Sequence, residues 1–301
     1  MNSDAPWTIG RLLEWTTDFL REKGADSPRL DAEVLLAHAR GCQRIDLYTA
    51  FAEEADEPLR QTFRALVGRR AAGEPVAHLV GHREFFSLEF RVTPDVLIPR
   101  PETELLVVRA LDLAKQYSAD GETREIHVAD VGTGSGVLAI CCAKLLPDTF
   151  VTAIDISPAA LEIARHNALS HEVSDRIELV QSDLFENLPA EKRFDLIVSN
   201  PPYVTSAEME LLDGDVRRHE PRVALDGGLQ GTDVIERLIQ QANQRLRPGG
   251  WLLMEISPMI AERVEQLASD DSYLQLHDTL TDLSGLARVL QAQLQTASPS
   301  D

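Results

Sequence analysis

Ile126-His127-Val128-Ala129-Asp130-Val131-Gly132-Thr133-Gly134-Ser135-Gly136-Val137-Leu138-Ala139-Ile140 reads as strand, glycine loop and helix in direct succession. That arrangement brings a nucleotide close to the backbone at a helix N-terminus. The spacing is Gly-x-Gly-x-Gly after Asp130, not the Gly-x-Gly-x-x-Gly of dinucleotide binders, and the Lys-Ser/Thr of a phosphate loop is absent. A second strand, Phe150 to Asp155, ends in an acid roughly twenty residues after the glycines, where a ribose diol is gripped. A third, Ile177 to Asp183, ends in Asp183, placed to meet an adenine amino group. One such aspartate alone is usually a helix cap; three strand ends of this kind predict a parallel α/β sheet carrying an adenosine without a pyrophosphate. S-adenosylmethionine is the ligand that fits.

A fourth apolar run, Phe194-Asp195-Leu196-Ile197-Val198-Ser199, ends in Asn200-Pro201-Pro202-Tyr203. Two prolines hold the turn extended and keep it from relaxing into helix. The Asn200 side chain adds an acceptor oxygen and two donors, and Tyr203 a flat apolar face. The device suits a planar –NH2 group, with two acceptors for its hydrogens and a ring against its plane. An ordinary strand-ending turn is the alternative reading, and the upstream nucleotide elements favour the first.

Taken together, Asp-x-Gly-x-Gly-x-Gly, the strand-end Asp and Asn-Pro-Pro-Tyr resemble the Rossmann-like methyltransferases that act on amide or exocyclic amino nitrogens. Four further stretches, Glu74 to Phe86, Leu97 to Glu104, Glu220 to Gly228 and Asp282 to Val289, are similar to the protein glutamine N5-methyltransferases of the PrmC/HemK type. The resemblance covers nearly the whole chain and weakens in the first seventy residues and the last few. Ser257 stands where the family usually has glycine, and Leu286-Ala287 replaces a more polar pair. The resemblance implies a Rossmann-like S-adenosylmethionine-dependent methyltransferase domain with a small N-terminal helical domain. It also implies a substrate, the Gly-Gly-Gln glutamine of class I peptide chain release factors, and the product S-adenosylhomocysteine.

On that reading the cofactor is held by Asp130, Gly132, Thr133, Gly134, Ser135, Gly136, Asp155, Asp183, Leu184 and Asn200. Asp130 either faces the methionine ammonium or caps the loop. Asn200, Pro201, Pro202 and Tyr203 hold the acceptor, and the Asn200 side-chain oxygen and Pro201 carbonyl are the catalytic acceptors. Pro99 to Glu104 is either a lid over the site or a proline-rich linker with a helix cap. Glu220-Pro221-Arg222 either binds the substrate loop or holds a structural Arg pair. His78 and His82 stand four apart with Gly81 between them and no third ligand nearby, so no metal is expected.

With 301 residues and a net charge of −20, the chain has room for one α/β domain and a smaller one, and the acidity argues against unaided nucleic-acid binding. The tight basic clusters, Arg69-Arg70 and Arg217-Arg218, read as helix-end or loop residues. A basic protein partner is compatible. Three cysteines without a Cys-x-x-Cys pair fit a reducing cytosol. Acids and Arg11 interrupt any signal-peptide core, and no window has the length of a membrane span, so a cytoplasmic protein is expected.

Helical spacing of Ile9, Leu12, Leu13, Thr16, Phe19 and Leu20, then of Leu30, Val34, Leu35 and Ala39, predicts a helical domain over 1–82, and the resemblance implies that this domain recognises the substrate. A β-hairpin linker follows over 83–98, then the catalytic domain over 99–294 and a polar tail over 295–301. Three other functions remain open at this stage: glutamine methylation of a ribosomal protein, adenine-N6 or guanine-N2 methylation of nucleic acid, and a non-catalytic S-adenosylmethionine-binding adaptor.

Overall fold

The computed structural model describes residues 6–118, 125–212 and 214–296, which form two compact units. The first holds residues 6–82 with 214–219, and the second holds the rest. Residues 83–98 group with the second unit rather than standing apart, and residues 297–301 of the expected polar tail lie outside the described residues.

Six helices, Ile9–Glu22, Pro28–Arg40, Arg44–Thr49, Glu57–Ala71, Val76–Val80 and Gly214–His219, are described in the first unit, whose core includes Leu13, Leu20, Leu35, Leu36 and Leu47. Local chemistry sets their ends. Thr8 accepts from the Arg11 N–H at 3.2 Å, Asp56 accepts from the Leu59 N–H at 2.9 Å, and Pro28 occupies the first turn of its helix. On the second helix Leu35 is buried and Val34 and Ala39 pack against the core as the apolar spacing predicts, but Leu30 is exposed. Glu33 is buried beside them, and its carboxylate accepts from Arg29 at 2.6 Å, Arg44 at 2.7 Å and Tyr48 at 2.5 Å. Burial opposes its charge, yet these three donors hold its carboxyl below the ordinary value.

Within the second unit, β1 (His82–Phe85) and β2 (Leu88–Arg91) make a hairpin whose turn residues Phe86 and Ser87 both have positive φ. The main sheet runs β5-β4-β3-β6-β7-β9-β8, with β3 at Ile126–Val131, β4 at Thr149–Asp155, β5 at Ile177–Gln181, β6 at Phe194–Ser199, β7 at Leu246–Glu255, β8 at Leu274–Thr281 and β9 at Ala287–Leu294. Strands β3 to β7 pair in parallel, as crossover connections require. The expected parallel sheet also carries an antiparallel edge, where β9 runs antiparallel to both β7 and β8. A tight turn joins β8 to β9, with Asp282 accepting from the Ser284 and Leu286 N–H groups, so no crossover helix intervenes.

Strand alternation divides the core in two. Val128, Val151, Leu196, Val198, Leu253 and Val289 pack on one side with helices Thr103–Ser118 and Val137–Leu145. Ala129, Ile154, Ile197, Leu252, Met254 and Leu290 pack on the other with helices Asp233–Arg245 and Ala261–Asp270. Both faces are covered, so the central strands read as continuous apolar runs. Among the described residues no helix is long and apolar enough to cross a membrane.

Candidate active site

The four strand ends singled out in the sequence are neighbours. In register, Gln181 lies beside Asp155, Ile154 beside Val131, and Val131 beside Ser199. A cleft opens along these carboxyl ends, lined by Gly132, Thr133, Gly134, Ser135, Asp155, Asp183, Leu184, Asn200 and Pro202 among others. Ligands of open α/β sheets bind in this crevice.

Backbone bonds shape the glycine loop: the Gly132 and Thr133 N–H groups both donate to the Ile154 carbonyl, at 2.8 and 2.9 Å. Asp130 is fully buried and does not line the cleft. One of its oxygens, Oδ2, accepts from Thr133 Oγ1 at 2.6 Å and from the Ala139 N–H at 3.0 Å, so it ties the loop to the following helix. The other oxygen has no partner, and burial pushes the carboxyl up to about 7. Gly136 likewise stands behind the cleft wall, not in it. It has φ +85°, and a Cβ there would meet Ile140 and Ala164 at 3.1 and 3.2 Å, so its lack of a side chain lets the two helices approach.

Asn167, which sequence reasoning missed, clamps this loop. Its side chain donates to the Ser135 carbonyl at 2.8 Å and the Arg91 carbonyl at 3.0 Å, and accepts from the Arg91 N–H at 2.9 Å. Asn167→Ala leaves the Ser135 carbonyl buried without this partner, at a cost of about 1–3 kcal/mol, and frees the part-buried Arg91 backbone groups. We expect a lower urea midpoint together with weaker cofactor binding by calorimetry. Loss of stability with unchanged cofactor affinity would detach Asn167 from the loop.

Asp155 lines the cleft with its two oxygens accepting from the Gly134 N–H at 2.8 Å and the Ser157 N–H at 2.9 Å. Burial raises its carboxyl, and these backbone donors oppose the rise. Asp183 pairs with Arg237 at 2.9 Å, a partner 54 residues away that the sequence did not suggest. Next to it Leu184 has φ +48° and lies against the second core cluster.

Asn200 and Pro202 line the cleft, whereas Pro201 is buried and Tyr203 packs against the second core cluster. The Tyr203 ring therefore braces the turn from behind, and burial pushes its phenol up to about 12. Pro99, Arg100 and Thr103 form part of the cleft wall, and Arg100 donates to the buried Glu220 at 2.6 Å. Arg222 pairs with Asp226 at 3.0 Å, the structural alternative of the two readings. The basic clusters are engaged as well: Arg69 bonds Glu74, Arg70 bonds Asp31 and Asp215, and Arg218 donates to the Gly214 carbonyl. Among the described residues no group of three or more His, Cys, Asp or Glu is arranged to hold a metal.

Comparison with known proteins agrees with this geometry. The family model "PrmC N-terminal domain" matches residues 11–81, and "Methyltransferase small domain" matches residues 109–213. A release factor glutamine methyltransferase from Rhodopirellula baltica is 52% identical over 97% of the chain and 98% of its own length. One of the same name from Geobacter sulfurreducens is 41% identical over 96% and 97%. In fold, the catalytic domain of hMettl16 in complex with MAT2A 3′UTR hairpin 6 superposes with a TM-score of 0.54 at 15% identity, covering 78% of this chain and 84% of that one.

Proposed function

The chain belongs to the release factor glutamine methyltransferases, and we propose on that footing that it methylates N5 of the Gly-Gly-Gln glutamine in class I peptide chain release factors. It is an S-adenosylmethionine-dependent methyltransferase. The observation that carries the proposal is the cleft that joins the glycine loop, Asp155 and Asn200 at adjacent strand ends.

S-adenosylmethionine supplies an electrophilic methyl: the S–CH3 bond breaks, an N–CH3 bond forms on the glutamine amide, and S-adenosylhomocysteine is left. In our assignment Gly132 to Ser135 hold the methionine and ribose region, Asp155 the ribose hydroxyls, and Asp183 with Leu184 the adenine. Asp130 acts from behind, holding the loop in shape through Thr133 and the Ala139 N–H. An amide nitrogen is a poor nucleophile because its lone pair is delocalised into the carbonyl. The protein's task is therefore alignment in a dry cleft. Acceptors at the Asn200 side-chain oxygen and the Pro201 carbonyl orient the two N–H groups and favour the positive charge that develops on nitrogen. The extra proton on the methylated amide is strongly acidic and is lost to bulk solvent as the product leaves the cleft.

Residues 1–82 are assigned to recognition of the factor, supported by exposed Trp15 and Tyr48 on the first unit, with Trp15 stacked on Phe19 at 5.1 Å. Net charge −20 favours a protein over a nucleic acid as acceptor. Free thiols at Cys42, Cys141 and Cys142 fit the reducing cytoplasm, where we place the activity.

Labelled methyl transfer to a purified class I release factor tests this, beside a factor with its Gly-Gly-Gln glutamine changed to alanine, bulk RNA and DNA. Label confined to the native factor is expected. Label on nucleic acid with none on the factor overturns the substrate and leaves the cofactor cleft standing.

A further inference from the structure

The amide of Asn200 has two orientations of nearly the same shape, and only one is useful. With its oxygen toward the acceptor nitrogen it receives an N–H. With its NH2 forward, donor would meet donor. A chain of hydrogen bonds behind it decides the orientation. Asn200 Nδ2 donates to Thr103 Oγ1 at 3.4 Å, and Thr103 Oγ1 donates to Glu255 Oε2 at 2.6 Å. A hydroxyl carries one proton. Once that proton is committed to the Glu255 carboxylate, Thr103 has only lone pairs left for Asn200. Asn200 must then turn its NH2 toward Thr103, and its oxygen is released to the cleft. The first link is long, so the direction of the chain matters here more than its strength.

Its members come together through the topology. Glu255 ends β7, which pairs with β6 one residue short of Asn200, Ser199 lying beside Met254. Thr103 opens helix Thr103–Ser118 and lines the cleft wall. Both side chains are buried, which leaves little room for water to replace either link. We propose that Thr103 and Glu255 are positioning residues that hold the Asn200 amide with its oxygen toward the acceptor nitrogen. This rests on the assignment of Asn200 made above.

The direction of the chain depends on the charge of Glu255. The groups facing it are Thr103, Glu102 and Arg100 from the segment before the helix, Tyr203 from the turn after β6, and Arg288 from β9. Burial is the largest influence and pushes its carboxyl up to about 7. Protonated, Glu255 donates to Thr103. The Thr103 hydroxyl then gives its own proton to the Asn200 oxygen, which is lost to the acceptor. The sign follows: turnover falls as pH drops through the Glu255 ionisation and is fully present above it.

Thr103→Val, Thr103→Ser and Glu255→Gln in the full chain test the chain of bonds, with kcat, KM and cofactor affinity measured across pH. Thr103→Val is expected to lower kcat about 10- to 100-fold, the scale of a misaligned reacting group, with cofactor affinity by calorimetry unchanged. Thr103→Ser should restore most of kcat, since it returns the hydroxyl. The wild type should lose kcat with falling pH near neutrality, and Thr103→Val and Glu255→Gln should lack that limb. In an Asn200→Ala background, Thr103→Val should add nothing.

Wild-type kcat in Thr103→Val, no rescue by serine, or the same pH limb in all variants overturns the inference. Should Thr103→Val not fold, the limb in Glu255→Gln against the wild type decides it. If Asn200→Ala retains full turnover, the assignment of Asn200 fails and this inference with it. If Asn200→Ala is inactive and Thr103→Val is not impaired, only the inference fails.

Discussion

Asn200→Ala should reduce kcat about 10²- to 10³-fold, the usual cost of deleting one preorganised polar contact to a developing charge. The side chain lines the cleft, and we assign its oxygen to an acceptor N–H. Cofactor affinity should change far less, because the glycine loop and Asp155 are fixed by bonds that do not involve Asn200: the Gly132 and Thr133 N–H groups donate to Ile154, and Asp155 accepts from Gly134 and Ser157. Single-turnover methyl transfer and calorimetric titration with S-adenosylmethionine separate the two quantities. An unchanged single-turnover rate would remove Asn200 from the chemistry.

Gly227→Ala is the second substitution with a large expected effect, and it acts through the backbone. A Cβ at Gly227 would stand 2.7 Å from the Gly231 carbonyl oxygen and 2.8 Å from the Pro202 carbonyl oxygen. Neither is a side chain that can swing aside. The same stretch is stitched to the turn by Val204 N–H donating to Leu225 at 2.9 Å and Gly227 N–H donating to Val204 at 2.8 Å. The added methyl must therefore displace Pro202 or break these bonds. We expect a loss of about 1–3 kcal/mol of stability by urea denaturation, the usual cost of overpacking. As Asn200 is carried along, a fall in kcat of up to about 10²-fold should accompany it. Gly41→Ala is the comparison: unlike Gly227 it has a positive φ, +69°, but no atom lies within 4 Å of the added Cβ, so only the backbone penalty applies and kcat should hold. Equal behaviour of the two variants would show that the crowding at Pro202 is not what matters.

The sequence made the cleft legible where its parts are local. Gly132 to Gly136, Asp155, Asp183 and Asn200 each follow an apolar strand, so periodicity and strand-end chemistry located them, and parallel pairing brought them side by side. Partnerships across long stretches of chain were not legible. Thr103 meets Asn200 over 97 residues and Glu255 over 152, and Asn167 reaches Arg91 over 76. No spacing rule links residues so far apart. Motif membership does not by itself put a side chain on the cleft wall: Gly136 sits close to Ile140 and Ala164, and the Tyr203 ring packs against the second core cluster. The antiparallel edge was missed because β8 is mostly half-exposed and lacks the apolar run that marks a buried strand.

The helical unit is discontinuous in the chain, and this bears on how the protein is made. Residues 214–219 belong to that unit, where Asp215 gives Arg70 a second carboxylate at 2.7 Å beside Asp31. A ribosome adding roughly 5–20 residues per second exposes the first 82 residues on the order of ten seconds before Asp215 emerges. Until then Arg70 has Asp31 alone, although the apolar core of the unit lies entirely within the first 82 residues. A fragment ending at residue 82 would keep that core and lack the second carboxylate for Arg70.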